Sequence, residues 1–190
     1  MTEQARTYRA RYADLEALPP NVKAEIVNGE LYMHAQPLQP HGNVIDGLAE
    51  TLRPPFMRGR GGPGGWWICS ESQISFEDAD WRTMVPDVAG WRRERAPNFP
   101  ERYFEITPDW VCEVLSPSTR LHDRNVKGPA YAEEGVPHFW IVDPAFRLLE
   151  CYENAGRAWK EVARFEGTAQ VAVPPFEAVP FDLADLWPPG

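Results

Sequence analysis

The sequence predicts an α+β fold in which a few helices flank one mixed β-sheet. The predicted elements follow the order helix, hairpin, helix, several strands, helix and several strands, so strands outnumber the helices that could cover them. The chain has 190 residues, 43% of them apolar, which suits a single domain over residues 1–190 with its own core. No internal repeat, heptad or low-complexity segment interrupts this pattern.

The first part of the chain predicts a helix, a hairpin and a second helix. Residues 1–23 favour a short helix that a double proline ends. Residues 25–33 contain an Asn-Gly pair between β-forming residues, which predicts a hairpin because both turn positions tolerate a positive φ. Apolar residues recur at three- and four-residue spacing over residues 41–53 and predict a helix. A glycine-rich loop follows at residues 58–65.

The rest of the chain alternates between strands and helices. Apolar runs predict strands at residues 66–76, 83–91, 110–115, 136–143, 147–152 and 158–165. The charged, proline-marked residues 92–108 predict an exposed connection. Residues 120–134 predict a helix in which Pro129 forms a kink or a first turn and Gly135 follows the end, and residues 182–186 predict a short final helix.

The composition limits the classes of function. A net charge of −9 argues against a protein that coats nucleic acid by bulk attraction. It leaves a nuclease open, because metal ions supply positive charge at a reaction centre. The sequence shows no membrane span or signal peptide, so the cytoplasm is the expected location. The odd number of cysteines, without a C-x-x-C pair, predicts buried reduced thiols.

Glu113 is the position that points most strongly to chemistry. It interrupts the apolar run of residues 110–115, which predicts a central strand buried on both faces. Burying a carboxylate there costs several kcal/mol unless a cation or hydrogen bonds satisfy it. Glu113 is therefore a metal ligand, the partner of an arginine such as Arg120 or Arg124, or a strand-end residue that faces water.

Asp87 lies in the neighbouring predicted strand. If its strand pairs with the Glu113 strand in a suitable register, the two carboxylates can hold one divalent cation. Mg²⁺ suits such a site, because it accepts a pair of carboxylates together with waters and phosphate oxygens. The alternative for an aspartate at a strand end is a simple turn residue.

Lys127 follows on the next predicted helix. It shares one helical face with Asp123 and Tyr131, which are four residues before and after it. The helix comes directly after the Glu113 strand, so the lysine can orient an attacking water or stabilise charge on a phosphoryl group. Its alternative is a solvated surface lysine.

These motifs together resemble the Uma2 family of restriction endonucleases, a branch of the PD-(D/E)XK nuclease superfamily. The likeness extends over roughly residues 10–187 in the family's order and spacing. Its most specific part is EVLSPST at residues 113–119 with the D-R-x-x-K-x-x-x-Y pattern that follows, whereas Pro-Asp alone is a weak signal. The resemblance implies a restriction-endonuclease-like (α/β/α) fold, with a mixed central sheet flanked by helices.

The resemblance also implies a site. The acidic pair maps to Asp87 and Glu113, which would bind Mg²⁺ or, as a substitute, Mn²⁺. The lysine of the superfamily usually lies two residues after the second acid, where this chain has Leu115. The family pattern places the lysine on the following helix, at Lys127, and implies that the carbonyl of Val114 can also bind the metal.

Glu25 and His41 match further positions of the family. Glu25 is either a member of the metal site or a surface charge at the hairpin edge, with the surface position slightly favoured. His41 is either a contact to substrate or a residue that caps the first long helix. The remaining histidines, His34, His122 and His138, show no metal-ligand spacing.

The expected function is a Mg²⁺-dependent endonuclease that acts on DNA, with Asp87, Glu113 and Lys127 as catalytic residues. Contacts to DNA would use arginines near these motifs, although each is also compatible with solvation: Arg53, Arg58, Arg60, Arg92, Arg93, Arg95, Arg120 and Arg124. Two alternatives stay open. One is an inactive nuclease-fold protein that binds nucleic acid or protein, and the other is a structural protein. Exposed strand edges are compatible with a homodimer.

Overall fold

Strands outnumber helical segments in the structure, a computed structural model that describes residues 9–33, 39–76 and 81–188. The strands are β1 (Ala24–Val27), β2 (Glu30–Met33), β3 (Trp66–Ser70), β4 (Ile74–Ser75), β5 (Thr83–Met84), β6 (Val88–Arg92), β7 (Trp110–Val114), β8 (His138–Asp143), β9 (Leu148–Asn154), β10 (Trp159–Glu166), β11 (Gln170–Val171) and β12 (Phe181–Asp182). The helical segments are α1 (Tyr12–Glu16), α2 (Gln39–Leu52), a π-helical turn (Arg53–Met57), α3 (Arg120–His122), a second π-helical turn (Asp123–Lys127), α4 (Gly128–Glu133) and a 3₁₀ helix (Leu183–Leu186).

The centre is a six-stranded sheet with the order β10-β9-β8-β7-β6-β3. Its neighbouring strands are antiparallel except β7 and β8, which are parallel. A parallel pair needs a crossover connection, and the helical residues 120–133 provide it. The predicted α+β fold with a mixed sheet is confirmed. The four-stranded sheet β2-β1-β5-β4 and the ribbon β11-β12 lie outside the single sheet that the sequence predicts.

Strand β7 shows how the core forms on both faces of the central sheet. Trp110, Cys112 and Val114 belong to an apolar cluster that includes α2, and Val111 belongs to a second cluster on the other face. All five residues of β7 are buried. The predicted buried strand is therefore confirmed, and Glu113 alternates onto the same face as Val111.

The predicted hairpin between β1 and β2 is also confirmed. Asn28 and Gly29 have φ angles of 54° and 79°, the left-handed values that an Asn-Gly turn requires. A Cβ atom on Gly29 would lie 2.9 Å from Cε3 of Trp81, so the turn is packed as well as bent. This hairpin fixes the position of β1, which carries Glu25 into the interior.

Two predicted strands are interrupted near the candidate site. Residues 66–76 divide into β3 and β4 around Glu71, whose φ is 47°. Residues 83–91 divide into β5 and β6, so Asp87 lies in the break and not inside a strand. The reason is local, because Pro86 has no N–H to give to a strand ladder.

The connection at residues 92–108 is more buried than predicted. Ala96 and Phe104 are buried, and the ring of Phe104 stacks on that of Trp91 with centroids 3.8 Å apart. Residues 97–99 remain exposed. The prediction of an exposed connection was wrong for Ala96 and Phe104, because they complete the second apolar cluster.

The helix predicted at residues 120–134 is confirmed as one run of α3, a π-helical turn and α4. In the turn, the N–H of Gly128 donates to the carbonyl of Asp123, five residues earlier. Pro129 occupies the first turn of α4, where a missing N–H is tolerated. Gly135 follows the helix with a φ of 77°, as a residue after a helix end often does.

The remaining predictions concern cysteines and the termini. Cys112 and Cys151 are buried free thiols, and Cys69 is a half-buried one. In the described part of the chain, no helix is both long and apolar enough to cross a bilayer. Residues 1–8 and His34 lie outside the described residues.

Candidate active site

A cavity of about 340 Å³ lies beside the end of β7. Part of its lining is apolar and comes from one segment, which contributes Leu15, Leu18 and Val22. The acidic part comes from other segments: the β3–β4 turn, the break before β6, β7 and the helical residues 120–133. The fold therefore gathers polar groups that are far apart in the sequence around one partly open cavity.

The pairing of β6 with β7 brings Asp87 next to Glu113. Val88 lies opposite Cys112, so the same register continued by one residue places Asp87 opposite Glu113. Oδ2 of Asp87 accepts a hydrogen bond of 2.7 Å from the N–H of Val114. Both acids line the cavity. The two predicted acids therefore converge at one point of the fold.

Glu113 is 1% exposed and has two polar partners. Its Oε1 lies 2.7 Å from Nζ of Lys127 and accepts a 2.7 Å hydrogen bond from the hydroxyl of Tyr131. The alternative in which Arg120 or Arg124 pairs with Glu113 was wrong. Those arginines bind Asp143 and Glu150 instead, because the face of the helix that meets β7 is the one that carries the lysine and the tyrosine.

Lys127 is 2% exposed, so the alternative of a solvated surface lysine was wrong. Besides Glu113, its ammonium lies 3.4 Å from Oε2 of Glu25 and donates a 2.9 Å hydrogen bond to the carbonyl of Val85. Burial by itself lowers the pKa of Lys127. The surrounding carboxylates raise this pKa by more than burial lowers it, so the net pKa is above its ordinary value. The lysine is therefore a fixed cation.

Glu25 is fully buried, and the slightly favoured position at the protein surface was wrong. Its Oε2 accepts a 3.1 Å hydrogen bond from the N–H of Val85, and its Oε1 lies 3.1 Å from Nε2 of His122. The ring of His122 packs on Tyr32 of β2, with centroids 4.2 Å apart. The hairpin thus places the carboxylate of Glu25 next to the ammonium of Lys127.

His41 lies inside α2 rather than at its cap. Its Nε2 is 3.2 Å from Oδ2 of Asp87, and its Nδ1 is buried without a hydrogen-bond partner in the described residues. Burial lowers the pKa of His41, but the hydrogen bond and charge of Asp87 raise it more, so the net pKa is above the ordinary value. The helix-capping alternative was wrong, and the contact with substrate stays a prediction.

Sequence reasoning missed Asp123 and His122 as members of the site. Asp123 is buried, lines the cavity and interacts with Lys127, and burial raises its pKa. The spacing of four residues between Asp123 and Lys127 was the available signal. For His122 the sequence offers no local signal, because its partner Glu25 lies on a distant hairpin.

The cluster contains more carboxyl groups than ammonium groups. Four carboxylates interact around the single lysine: Glu25, Asp87, Glu113 and Asp123. Burial raises the pKa of Glu113 well above its usual range. Lys127 opposes that rise, and the other three carboxylates add to it. The site would therefore be stabilised by an additional cation.

Most arginines proposed for DNA contact make internal interactions. Arg53, Arg93 and Arg95 bind backbone carbonyls or an acid within the fold, as Arg120 and Arg124 also do. The remaining candidates are Arg58 and Arg60 in the exposed glycine-rich loop and Arg92, whose guanidinium lies 4.6 Å from the ring centroid of Trp66. The predicted clusters therefore provide few cations for a nucleic acid.

The chain matches one family model and five solved chains. The chain matches the family model of Uma2, "Putative restriction endonuclease", over residues 9–184. It is also similar to a crystal structure from Anabaena variabilis that is described as a putative nuclease belonging to DUF820. The two share 20% sequence identity over 93% of this chain and 96% of that chain, with a TM-score of 0.67, which supports the fold. No curated protein matches the chain significantly.

Proposed function

Since this chain belongs to the Uma2 family, we propose that its cavity is the active site of a metal-dependent endonuclease that hydrolyses phosphodiester bonds in DNA. The family description supports nuclease activity in general. The metal and the DNA substrate are our proposal. The observation that carries it is the convergence of Asp87, Glu113 and Lys127 at the end of β7.

Asp87 and Glu113 fit a Mg²⁺ ion, with Mn²⁺ as a substitute. In the described residues, no group of three or more His, Cys, Asp or Glu side chains is placed to hold a metal. Mg²⁺ is often bound by only one or two carboxylates, with waters and substrate phosphates as its other ligands. Asp87 makes its contacts through Oδ2 and Glu113 through Oε1. We propose the other oxygen of each acid as a ligand, and the Val114 carbonyl as a third.

The protein groups around the acids have distinct roles in this proposal. A bound Mg²⁺ would act as a Lewis acid and lower the pKa of a bound water. Lys127 would stabilise the negative charge that develops on the phosphoryl group, because a fixed cation in a buried site stabilises nearby negative charge more than it would in water. Glu25 holds the ammonium in place, and His41 fixes the orientation of Asp87 together with the N–H of Val114.

Nicking of circular DNA, both single-stranded and duplex, in Mg²⁺ or Mn²⁺ tests the proposal. The parent is compared with Asp87→Ala, Glu113→Ala and Lys127→Ala, and Glu153→Ala in the distal β9 strand is the matched control. We expect the three site variants to lose nicking and the control to retain it. Equal nicking by all five proteins would identify a contaminant and contradict the assignment.

A nuclease-fold protein that binds nucleic acid or protein without cleavage is the second candidate. It is favoured by the existing partners of each acid and by the net charge of −9. Calorimetric titration with Mn²⁺ separates it from a purely structural role, because a module that keeps the site should bind metal. Metal binding without nicking would favour this candidate.

A further inference from the structure

We propose that the cavity admits one nucleotide of a single strand or a strand end, and excludes the backbone of an intact duplex. This inference rests on the proposed nuclease function, since it assigns a substrate class to the same acids. The phosphate would lie at the acids beside Lys127, and the base would lie against Leu15, Leu18 and Val22.

The reactive groups lie deep in the cavity. Glu113 is 1% exposed, Lys127 is 2% exposed, and the side chain of Asp87 is 18% exposed. The cavity volume of about 340 Å³ falls at the small end of the roughly 300–1,000 Å³ typical of pockets that enclose a small molecule. The phosphates of a duplex are held on a stiff outer surface, whereas a flexible strand can turn one nucleotide inward.

Part of the cavity lining is apolar. Leu15, Leu18 and Val22 are partly exposed, and all three come from the short segment around and after α1. The acids come from other segments, so the lining has an apolar part and a charged part. An unpaired base has a free apolar face that can cover these side chains. A base stacked within a duplex has no such face.

The lining of the cavity offers few cations to a nucleic acid. Its two lysines are both in ion pairs, Lys23 with Glu71 at 2.8 Å and Lys127 with Glu113 at 2.7 Å. The described lining contains no arginine. Binding to a duplex depends on several lysine or arginine contacts with phosphates. A single phosphate needs only the proposed metal and Lys127.

Fluorescence anisotropy tests the inference on the full chain. A labelled oligodeoxythymidylate is compared with the same strand in a blunt duplex, with Ca²⁺ in place of Mg²⁺ and a gel to confirm that the strands stay intact. We expect the single strand to bind at least about tenfold more tightly, a difference of about 1.4 kcal/mol. Equal or tighter binding of the duplex would overturn the inference, and so would the absence of binding to either probe.

A variant in the apolar lining locates the binding. Leu18→Asp should weaken binding of the single strand at least about tenfold, because it places a negative charge where the base would lie. Leu31→Asp is the matched control, since Leu31 is 38% exposed on β2 and does not line the cavity. Leu15→Gln is the second variant if Leu18→Asp does not fold by circular dichroism. Equal affinity in lining variant and control would overturn the inference.

The same reagents separate this inference from the proposed function. Single-strand binding that depends on Leu18, together with no cleavage in Mg²⁺ or Mn²⁺, would support the nucleotide site and contradict the nuclease. Cleavage that needs Glu113 but proceeds equally fast on intact duplex would support the nuclease and overturn the nucleotide site.

Discussion

Two buried glutamates in the central sheet differ in the balance of charge around them. Glu150 on β9 is 4% exposed and is bound by Arg124 and by Arg164, whose guanidinium also pairs with Glu161. Two arginines therefore serve two acids, and the charges match. Glu113 on β7 is 1% exposed, and its cationic partner is a single lysine that three other carboxylates also approach.

The difference separates a structural ion pair from a candidate catalytic group. Burial of like charges disfavours the ionised forms, so a fold gains no stability from collecting four carboxylates around one lysine. The cluster at Glu150 has equal numbers of arginines and carboxylates and needs no further cation. The unmatched cluster at Glu113 is the kind that a divalent cation would complete.

The largest expected effect is on cleavage. Glu113→Gln should reduce the rate at which circular DNA is nicked by about 10³-fold, at the upper end of the loss seen when one preorganised electrostatic group is removed. Glu150→Gln should leave the rate of the folded protein nearly unchanged, because its arginines do not line the cavity. Comparable losses of nicking rate in both variants, measured at equal folded fraction, would contradict the distinction between the two glutamates.

Loss of the lysine should come next. Lys127→Met should reduce the nicking rate by about 10²-fold, since the charge that faces the phosphoryl group is removed. Lys160→Met on the exposed edge strand β10 is the control and should behave as the parent. The assignment of Lys127 fails if kcat is unchanged while the protein remains folded.

A smaller effect is expected where a residue acts through the lysine. Glu25→Gln should lower kcat by about tenfold, the scale of losses when a supporting hydrogen-bond partner is removed, with KM little changed. The residual activity reflects the contacts that Lys127 keeps with Glu113 and the Val85 carbonyl. Glu30→Gln on exposed β2 is the control. A rise in KM alone would indicate a role in binding substrate.

The smallest effect is a change of stability with pH in the metal-free protein. Because burial raises the pKa of Glu113 above its ordinary 4.5, the folded state holds a proton that the unfolded state has lost. The free energy of unfolding should therefore fall as pH rises from about 4.5 towards the raised pKa. Urea unfolding of Glu113→Gln should show a shallower fall. An identical slope in parent and variant would contradict a raised pKa at this residue.

The sequence predicted the parts of the site that depend on neighbouring elements. The buried run around Glu113, the Asn-Gly hairpin and the spacing from Asp123 to Tyr131 are local patterns, and each appears in the structure. The burial of Glu25 and its contact with His122 were not predictable, because they depend on how a distant hairpin packs against the helix at residues 120–133.

The arginines show the same limit. Sequence proximity made Arg120 and Arg124 reasonable partners for Glu113, but a helix presents neighbouring residues to different surfaces. Lys127 and Tyr131 meet β7, while Arg124 reaches β9. Pro86 is a local signal for the break in the strand before Asp87. The position of Asp87 opposite Glu113 depends instead on the pairing of β6 with β7.

The most direct measurement is anomalous diffraction from a crystal of the full chain soaked in Mn²⁺. We expect one strong peak at about 2.0–2.3 Å from a carboxylate oxygen of both Asp87 and Glu113. Well-ordered carboxylates with no ion between them, or an ion bound only elsewhere, would contradict it.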